Sequence, residues 1–127
     1  MRGWKTFARD EPGPWRNSFA SLKMPKRFRV DIGPAAREDV ERIHDYIALD
    51  KVAAARKWYR GFARLARSLR QFPFRHEEIP EAAELGLPMR HIIYGNYRIF
   101  YVIVDNCVSI VRVIHAARVV RPEMFLD

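Results

Sequence analysis

Three strand-like segments near the C-terminal end constrain the fold of this chain more than any other feature. The segments and the two-residue links between them are Met89–Tyr94, Gly95-Asn96, Tyr97–Val104, Asp105-Asn106 and Cys107–His115. Both links contain residues that tolerate positive φ angles, as tight hairpins require. The sequence therefore predicts two successive β-hairpins.

A shorter strand and a first helix come before them. Residues 27–32 alternate polar and apolar side chains, which is typical of a strand with one buried face. Pro34 follows Gly33 and suits the first turn of a helix, where its missing N–H is not needed. We expect this helix to end near Asp50. Its apolar residues recur at spacings of 4, 3 and 4, and they are Ala36, Val40, Ile43 and Ile47.

A second helix is expected from about Val52 to Gln71, with Pro73 ending it. Its apolar stripe consists of Ala54, Trp58, Phe62, Leu65, Leu69 and Phe72. A loop of irregular composition then leads to the hairpins. The order βααβββ predicts one α+β domain, a helical hairpin packed on a small, mainly antiparallel sheet.

The hairpins also predict a strand register. If Tyr94 pairs with Tyr97 and Val104 with Cys107, then two further pairs follow, which are Ile99 with Arg112 and Tyr101 with Arg90. One sheet face then carries Arg90, Tyr94, Tyr97, Tyr101 and Arg112. The other carries His91, Ile93, Arg98, Phe100, Val102, Val111, Val113 and His115. The middle of this second face is the more apolar, so we expect the helices to cover it.

The basic residues are unevenly distributed. The 127 residues include 23 Lys+Arg and 15 Asp+Glu, and the net charge of +8 predicts attraction to acidic partners. Residues 1–26 and 27–127 each contribute +4 of it. The second helix region has no acidic residue and seven basic ones, which are Lys51, Arg56, Lys57, Arg60, Arg64, Arg67 and Arg70. They form either a solvated outer face or a contact surface for nucleic acid or an acidic protein.

Several functional classes are disfavoured. No apolar stretch approaches the ~18 residues of a membrane span, so we expect no membrane partner. The single cysteine, Cys107, cannot form an intrachain disulfide or a multi-cysteine zinc site, and it suits a reducing compartment such as the cytoplasm. No phosphate-binding glycine loop or metal-spaced histidine pair is present, so we expect neither cofactor nor metal. We interpret Cys107 as structural, together with His44, His76, His91 and His115.

Residues 1–23 form an N-terminal extension to the domain, which we place at residues 24–127. The extension lacks the apolar core of a signal peptide. Two interpretations stay open. Either the segment docks through its aromatic residues, or Met24 is the true start of the protein. The aromatic residues are Trp4, Phe7, Trp15 and Phe19.

Residues 27–121 resemble the RelE/ParE superfamily of type II toxin–antitoxin toxins, small basic proteins with the same βααβββ order. The matching stretches are Gly86-Leu87-Pro88-Met89-Arg90, Tyr97-Arg98-Ile99-Phe100-Tyr101 and Val111-Arg112-Val113-Ile114-His115-Ala116-Ala117-Arg118, with Asp39, Tyr46 and Ile47 in the first helix. The ending His-Ala-Ala-Arg is more similar to the ParE branch. Residues 1–23 have no counterpart in the family.

The resemblance implies one of two activities. RelE-like toxins are ribosome-dependent mRNA endoribonucleases, and in that case the catalytic candidates are Arg90, Arg98, His115 and Arg118. ParE-like toxins inhibit DNA gyrase by binding, and the target-binding candidates are then His115, Arg118 and Arg121. The position late in the second strand, basic in nucleases, is here Ile93 or Tyr94. We therefore favour the gyrase inhibitor over the ribonuclease, and an inert binding module is the third alternative.

The resemblance also implies a cognate antitoxin. An acidic segment that folds on binding would cover apolar grooves beside the helices and neutralise part of the positive charge. The candidate antitoxin-binding residues are Trp58, Arg60, Arg64 and Arg67. The +4 carried by residues 27–127 is modest for a protein that mainly grips a nucleic-acid backbone.

Overall fold

The computed structural model describes residues 27–125, and these follow the predicted order βααβββ. The strands are β1 (Arg29–Ile32), β2 (Arg90–Tyr94), β3 (Tyr97–Val104) and β4 (Cys107–His115). The helices are α1 (Pro34–Ala48), α2 (Val52–Ser68) and a single turn, α3 (Ala82–Leu85), with 3-10 turns at Pro73–Arg75 and Pro122–Phe125. The N-terminal extension and the proposed start at Met24 lie outside the described residues.

The four strands form one sheet in the order β1-β4-β3-β2. β1 runs parallel to β4, and the other neighbours are antiparallel. Gly95 (φ 59°) and Asp105 (φ 55°) supply the positive φ angles of the two tight hairpins. The predicted α+β architecture, with a helical hairpin on a mainly antiparallel sheet, is therefore confirmed.

The second helix ends earlier than predicted, at Ser68 rather than Gln71. Pro73 disfavours the right-handed helical conformation of the residue before it, and Phe72 adopts φ 51° instead. Phe72 is consequently 61% exposed and does not belong to the apolar stripe. The stripe is also rotated at its start, because Ala55 rather than Ala54 is buried.

The helices cover the sheet face opposite to the one predicted. The main core combines helix residues such as Val40 and Phe62 with Ile99 and Tyr101 of β3. Phe100 instead lies in a second cluster on the other face, with Ile79, Met89 and Ile114. The prediction was wrong because it treated the tyrosine-bearing face as the more polar one. The tyrosines bury their large apolar rings, and their hydroxyl groups form hydrogen bonds inside the protein. Tyr101 Oη, for example, donates to the Pro73 carbonyl at 2.6 Å.

A β-bulge explains the remaining register error. The predicted pairs at both turns and the pair Arg90–Tyr101 are present. However, Ile99 lies opposite Val113, and Arg112 lies opposite Phe100, because the register shifts between Phe100 and Tyr101. An extra residue in β4 reverses the alternation of side chains beyond it. Val113 therefore joins the main core.

The second face is covered rather than open. Residues of the segment between α2 and β2, notably Ile79 and Met89, pack on it together with Met124 and Phe125 from the C-terminal turn. Both faces of the sheet are thus buried, and this small domain is built in three layers. No helix within residues 27–125 is long and apolar enough to cross a membrane.

Candidate functional site

Arg98, a candidate of the nuclease alternative, is buried and fully engaged by its neighbours. Its two terminal nitrogens donate to the Glu81 carboxylate at 3.0 and 3.1 Å, and its Nε donates to His91 Nδ1 at 3.1 Å. The guanidinium also lies 4.6 Å from the centre of the Phe100 ring. This bidentate pair attaches Glu81, the residue immediately before α3, to the second sheet face.

The same contacts perturb the ionisation of the neighbours. The hydrogen bonds from Arg98 lower the pKa of Glu81 below its ordinary value. Burial, and then the charge of Arg98, lowers the pKa of His91. Both effects favour the protonation states that the arginine needs, a charged carboxylate and a neutral imidazole.

Arg90 is likewise engaged in contacts within the protein. Its Nη1 donates to the carbonyl of His76 at 2.6 Å and to that of Phe74 at 3.3 Å. Its guanidinium also lies 5.3 Å from the Phe74 ring centre. Arg90 therefore fixes the 3-10 turn that follows α2 against the beginning of β2.

The structure does not bring the four nuclease candidates together. Arg98 lies on the second sheet face, whereas the His115 ring contacts Tyr97, whose own ring packs on Trp58 on the helix side. Arg90 and His115 pair with Tyr101 and Tyr97, four residues apart along β3. At about 3.3 Å per residue this is roughly 13 Å.

The target-binding candidates follow one another at the end of β4. The His115 side chain is exposed, and its Nδ1 accepts a hydrogen bond from the Ala117 N–H at 3.1 Å. The Arg118 N–H donates to the His115 carbonyl at 3.0 Å. Arg118 and Arg121 are both exposed on the loop that leads to the C-terminal turn. The loop thus presents two cations and an imidazole to solvent.

The basic face of α2 is exposed, but Trp58 does not lie on it. Arg60, Arg64 and Arg67 follow one another at spacings of four and three, on the solvent side of the helix. Trp58 is half-buried, with the Tyr94 and Tyr97 rings each 5.7 Å away between ring centres. Trp58 therefore joins α2 to the end of the β2–β3 hairpin.

A groove beside Tyr59, which sequence reasoning missed, is bordered by one of these arginines, Arg67. Tyr59 is 50% exposed and lines three cavities, of which two, of about 130 and 200 Å³, lie beside the edge strand β1. The residues that line these two are Val30, Ile32, Arg37, Val40, Glu41, Phe62, Ala63, Ala66, Arg67 and Arg70. Spacing offered a signal, because Ala55, Tyr59, Phe62 and Ala66 recur at intervals of four and three.

The most connected polar side chain is Asp39 of α1, which is only 2% exposed. Its carboxylate accepts hydrogen bonds from Arg112 Nε at 2.6 Å and Nη2 at 3.0 Å, and from the Val113 N–H at 2.9 Å. Arg42, on the next turn of α1, adds a contact at 3.3 Å. The bonds to Asp39 raise the pKa of Arg112. Within residues 27–125 no cluster of His, Cys, Asp and Glu has a metal-site arrangement.

Comparison with known structures and families agrees with this architecture. A solved structure described as the chromosomal ParDE TA system from P. aeruginosa superposes with a TM-score of 0.57 at 14% sequence identity. The match covers 71% of this chain and 97% of that one. The protein therefore has the same fold as the matched chain of that structure.

The family itself follows from the sequence match. Residues 30–120 match the family described as ParE toxin of type II toxin-antitoxin system, parDE. The chain belongs to the ParE toxin family, and the branch favoured by the ending of β4 is confirmed. Comparison with curated protein sequences gives no match.

Proposed function

We propose that this protein is the toxin of a type II toxin–antitoxin pair and that it inhibits DNA gyrase by binding, without cleaving RNA. Membership of the ParE toxin family supports the first part. The observation that carries the second is the burial of Arg98 in a bidentate ion pair with Glu81. An arginine held in this way cannot approach a phosphate unless that pair is broken.

Ribonuclease chemistry needs a different arrangement. Cleavage by the 2′-hydroxyl builds up negative charge on phosphorus, which cations must stabilise while acid and base groups transfer protons nearby. Arg98 and His115 lie on opposite faces of the sheet, and Arg90 is bound to backbone carbonyls. Of the four nuclease candidates, only His115 and Arg118 are exposed. An exposed surface of this kind suits binding better than catalysis.

The C-terminal loop is the proposed contact with the target. Its exposed arginines, Arg118 and Arg121, can neutralise phosphates or carboxylates of a gyrase–DNA complex. His115 lies at the start of the same loop and adds an exposed ring that can form hydrogen bonds. The three residues are the exposed members of the candidate set.

The antitoxin is proposed to bind at the groove beside Tyr59. The groove is apolar at its base and is bordered by three arginines, Arg37, Arg67 and Arg70, and by one carboxylate, Glu41. The excess of positive charge suits an acidic amphipathic segment. Arg60 and Arg64 do not line this groove, but they lie on the exposed side of the same helix. Tyr59 supplies the exposed aromatic surface here, because Trp58 is occupied by the sheet.

Induced expression with pulse labelling tests the proposal. We expect DNA synthesis to stop, and cells to form filaments, before protein synthesis declines. Early arrest of protein synthesis together with cut messages would contradict it and support the ribonuclease alternative. Absence of any growth effect would support an inert binding module.

Two double variants test whether the arrest of DNA synthesis depends on the C-terminal loop. Replacing both Arg118 and Arg121 by alanine should abolish the arrest of DNA synthesis. Arg56→Ala with Arg70→Ala is the matched control, since it removes two exposed arginines, one in α2 and one just after its end, and should leave toxicity unchanged in the absence of antitoxin. Full toxicity of the Arg118/Arg121 variant would exclude the loop as the target contact.

A further inference from the structure

We propose that Arg112 is a positioning residue that holds the C-terminal loop in its binding conformation, with Asp39 as its anchor. The proposal rests on the proposed function, since that loop carries Arg118 and Arg121. It concerns a buried link between three elements that are distant in sequence, namely α1, β4 and the C-terminal 3-10 turn.

Asp39 lies beside the part of β4 that extends beyond the end of its neighbour β1. β1 ends at Ile32, paired with Ile110 of β4, and the Gly33 N–H makes the last bond to the Ile110 carbonyl. Beyond this point β4 has no strand on that side, so the N–H of Val113 needs another acceptor. Asp39 Oδ2 accepts it at 2.9 Å.

Arg112 divides its donors between this anchor and the C-terminal turn. Nε and Nη2 form the bidentate pair with Asp39, and Nη1 donates to the Met124 carbonyl at 2.6 Å. The guanidinium is planar and its donors point in fixed directions, so the ion pair with Asp39 also orients Nη1. The position of Met124 is thus determined through Arg112.

Packing contributes to that position, because Met124 and Phe125 both contact the apolar cluster on the second sheet face. A cavity of about 200 Å³ lies beside the turn and is lined by residues that include Ser109, Val111, Met124 and Phe125. The one ring contact of the turn is between Phe125 and Phe100, with centres 5.3 Å apart. The hydrogen bond from Arg112 adds a directional constraint to the apolar contacts of Met124 and Phe125.

The loop between the two attachment points carries the exposed cations. It is attached at its start by the Ala116 N–H, which donates to the Asn96 carbonyl at 2.7 Å. It is attached at its end by Met124. Loss of the second attachment would leave Arg118 and Arg121 present and charged but spread over many conformations, which weakens binding through entropy.

Arg112→Lys in the full-length chain tests the proposal, because lysine keeps the charge beside Asp39 but has no planar set of donors to reach Met124 as well. We expect faster amide hydrogen exchange in residues 116–125, with α1 and β3 unchanged. We also expect about tenfold weaker binding to a gyrase–DNA complex, as for loss of one charge-assisted hydrogen bond, and retained antitoxin affinity. The control is Arg42→Lys, which alters the other arginine on Asp39 but not the bond to Met124.

The outcomes separate this proposal from the proposed function. If exchange and growth arrest are unchanged in Arg112→Lys, or if exchange rises while arrest persists, Arg112 has no positioning role. If the Arg118/Arg121 double variant keeps full toxicity, the proposed contact between the loop and the target is wrong, whatever the hydrogen-exchange result for Arg112→Lys. Should Arg112→Lys not fold, a chain that ends at Arg121 removes the Met124 carbonyl but keeps Arg118, Arg121 and the ion pair of Arg112 with Asp39. Undiminished toxicity of that shortened chain overturns the proposal.

Discussion

The hydroxyl group of Tyr94 occupies the space that a side chain at Gly61 would need. A Cβ atom added to Gly61 would lie 2.8 Å from Tyr94 Cζ and closer still to the hydroxyl oxygen. The tyrosine cannot easily move aside, because its hydroxyl donates to the Trp58 carbonyl at 2.9 Å and its ring packs on the indole. Glycine in the middle of α2 is therefore explained by contact with the sheet.

Gly61→Ala should consequently destabilise the protein. In an unhindered helix the change would raise stability by about 1 kcal/mol, whereas here we expect a net loss of about 1–3 kcal/mol from overpacking. Denaturant unfolding measures the effect. In a Tyr94→Phe background the loss should be smaller, and equal losses in both backgrounds would mean that the hydroxyl is not the obstacle.

Tyr101→Phe should lower the free energy of unfolding by about 1–3 kcal/mol, because it leaves the buried Pro73 carbonyl without its donor. The hydrogen bond is 2.6 Å long, and burial raises the pKa of Tyr101 to about 12. The matched control is Tyr46→Phe, at a side chain that is 71% exposed, which should change stability little. Equal stability of the two variants would argue against the buried bond.

Stability should fall on acidification in two stages. Burial lowers the pKa of His76 and His91 below their ordinary 6.5, so below pH 6.5 the unfolded state binds protons that the folded state refuses. The pKa of Glu81 is lowered from 4.5 by the bonds from Arg98, so its contribution is present above pH 4.5 and is lost as pH falls through the folded value. Both stages have the same sign.

Unfolding measured between pH 7 and 5 isolates the first stage. His91→Gln keeps an acceptor for Arg98 Nε but cannot titrate, so the decline in stability over this range should become shallower. His44→Gln, at an exposed pair with Asp45, is the control. An unchanged slope in the His91 variant would contradict the assignment.

Charge reversal on α2 should weaken the antitoxin complex. Replacing Arg60 and Arg64 by glutamate turns attraction for an acidic segment into repulsion, and we expect about tenfold weaker binding, mainly through slower association. The same double reversal at Arg118 and Arg121 is the matched control for net charge. If both double variants bind the antitoxin as tightly as the unmodified protein, the α2 arginines are only a solvated face.

Local patterns were sufficient to predict the elements and their order. Two-residue turns and alternating side chains located β3 and β4, and Pro34 and Pro73 marked the start of α1 and the limit of α2. These features depend on interactions over a few residues, which sequence spacing records directly.

Features that depend on distant contacts were not predictable in the same way. Both sheet faces are apolar. The spacing of apolar residues in the sequence did not indicate that residues 79–89 would cover the face that carries Phe100. The bulge opposite Phe100 and Tyr101 reversed the side of Val113. Likewise, Arg112 was placed on a face, but its partners Asp39 and Met124 are brought to it only by the tertiary fold.

The pairing of the first described strand with the last sets when the protein can fold during its own synthesis. β1, α1 and α2 are all translated before β4, which lies in the middle of the sheet and contributes Val108, Ile110 and Val113 to the core. Until β4 emerges, the two helices have no complete sheet to cover, because non-local contacts form only when both partners exist. The arginines of the C-terminal loop are translated later still. A chain released before β4 is made therefore has no completed sheet, and the loop that follows β4 is absent from it.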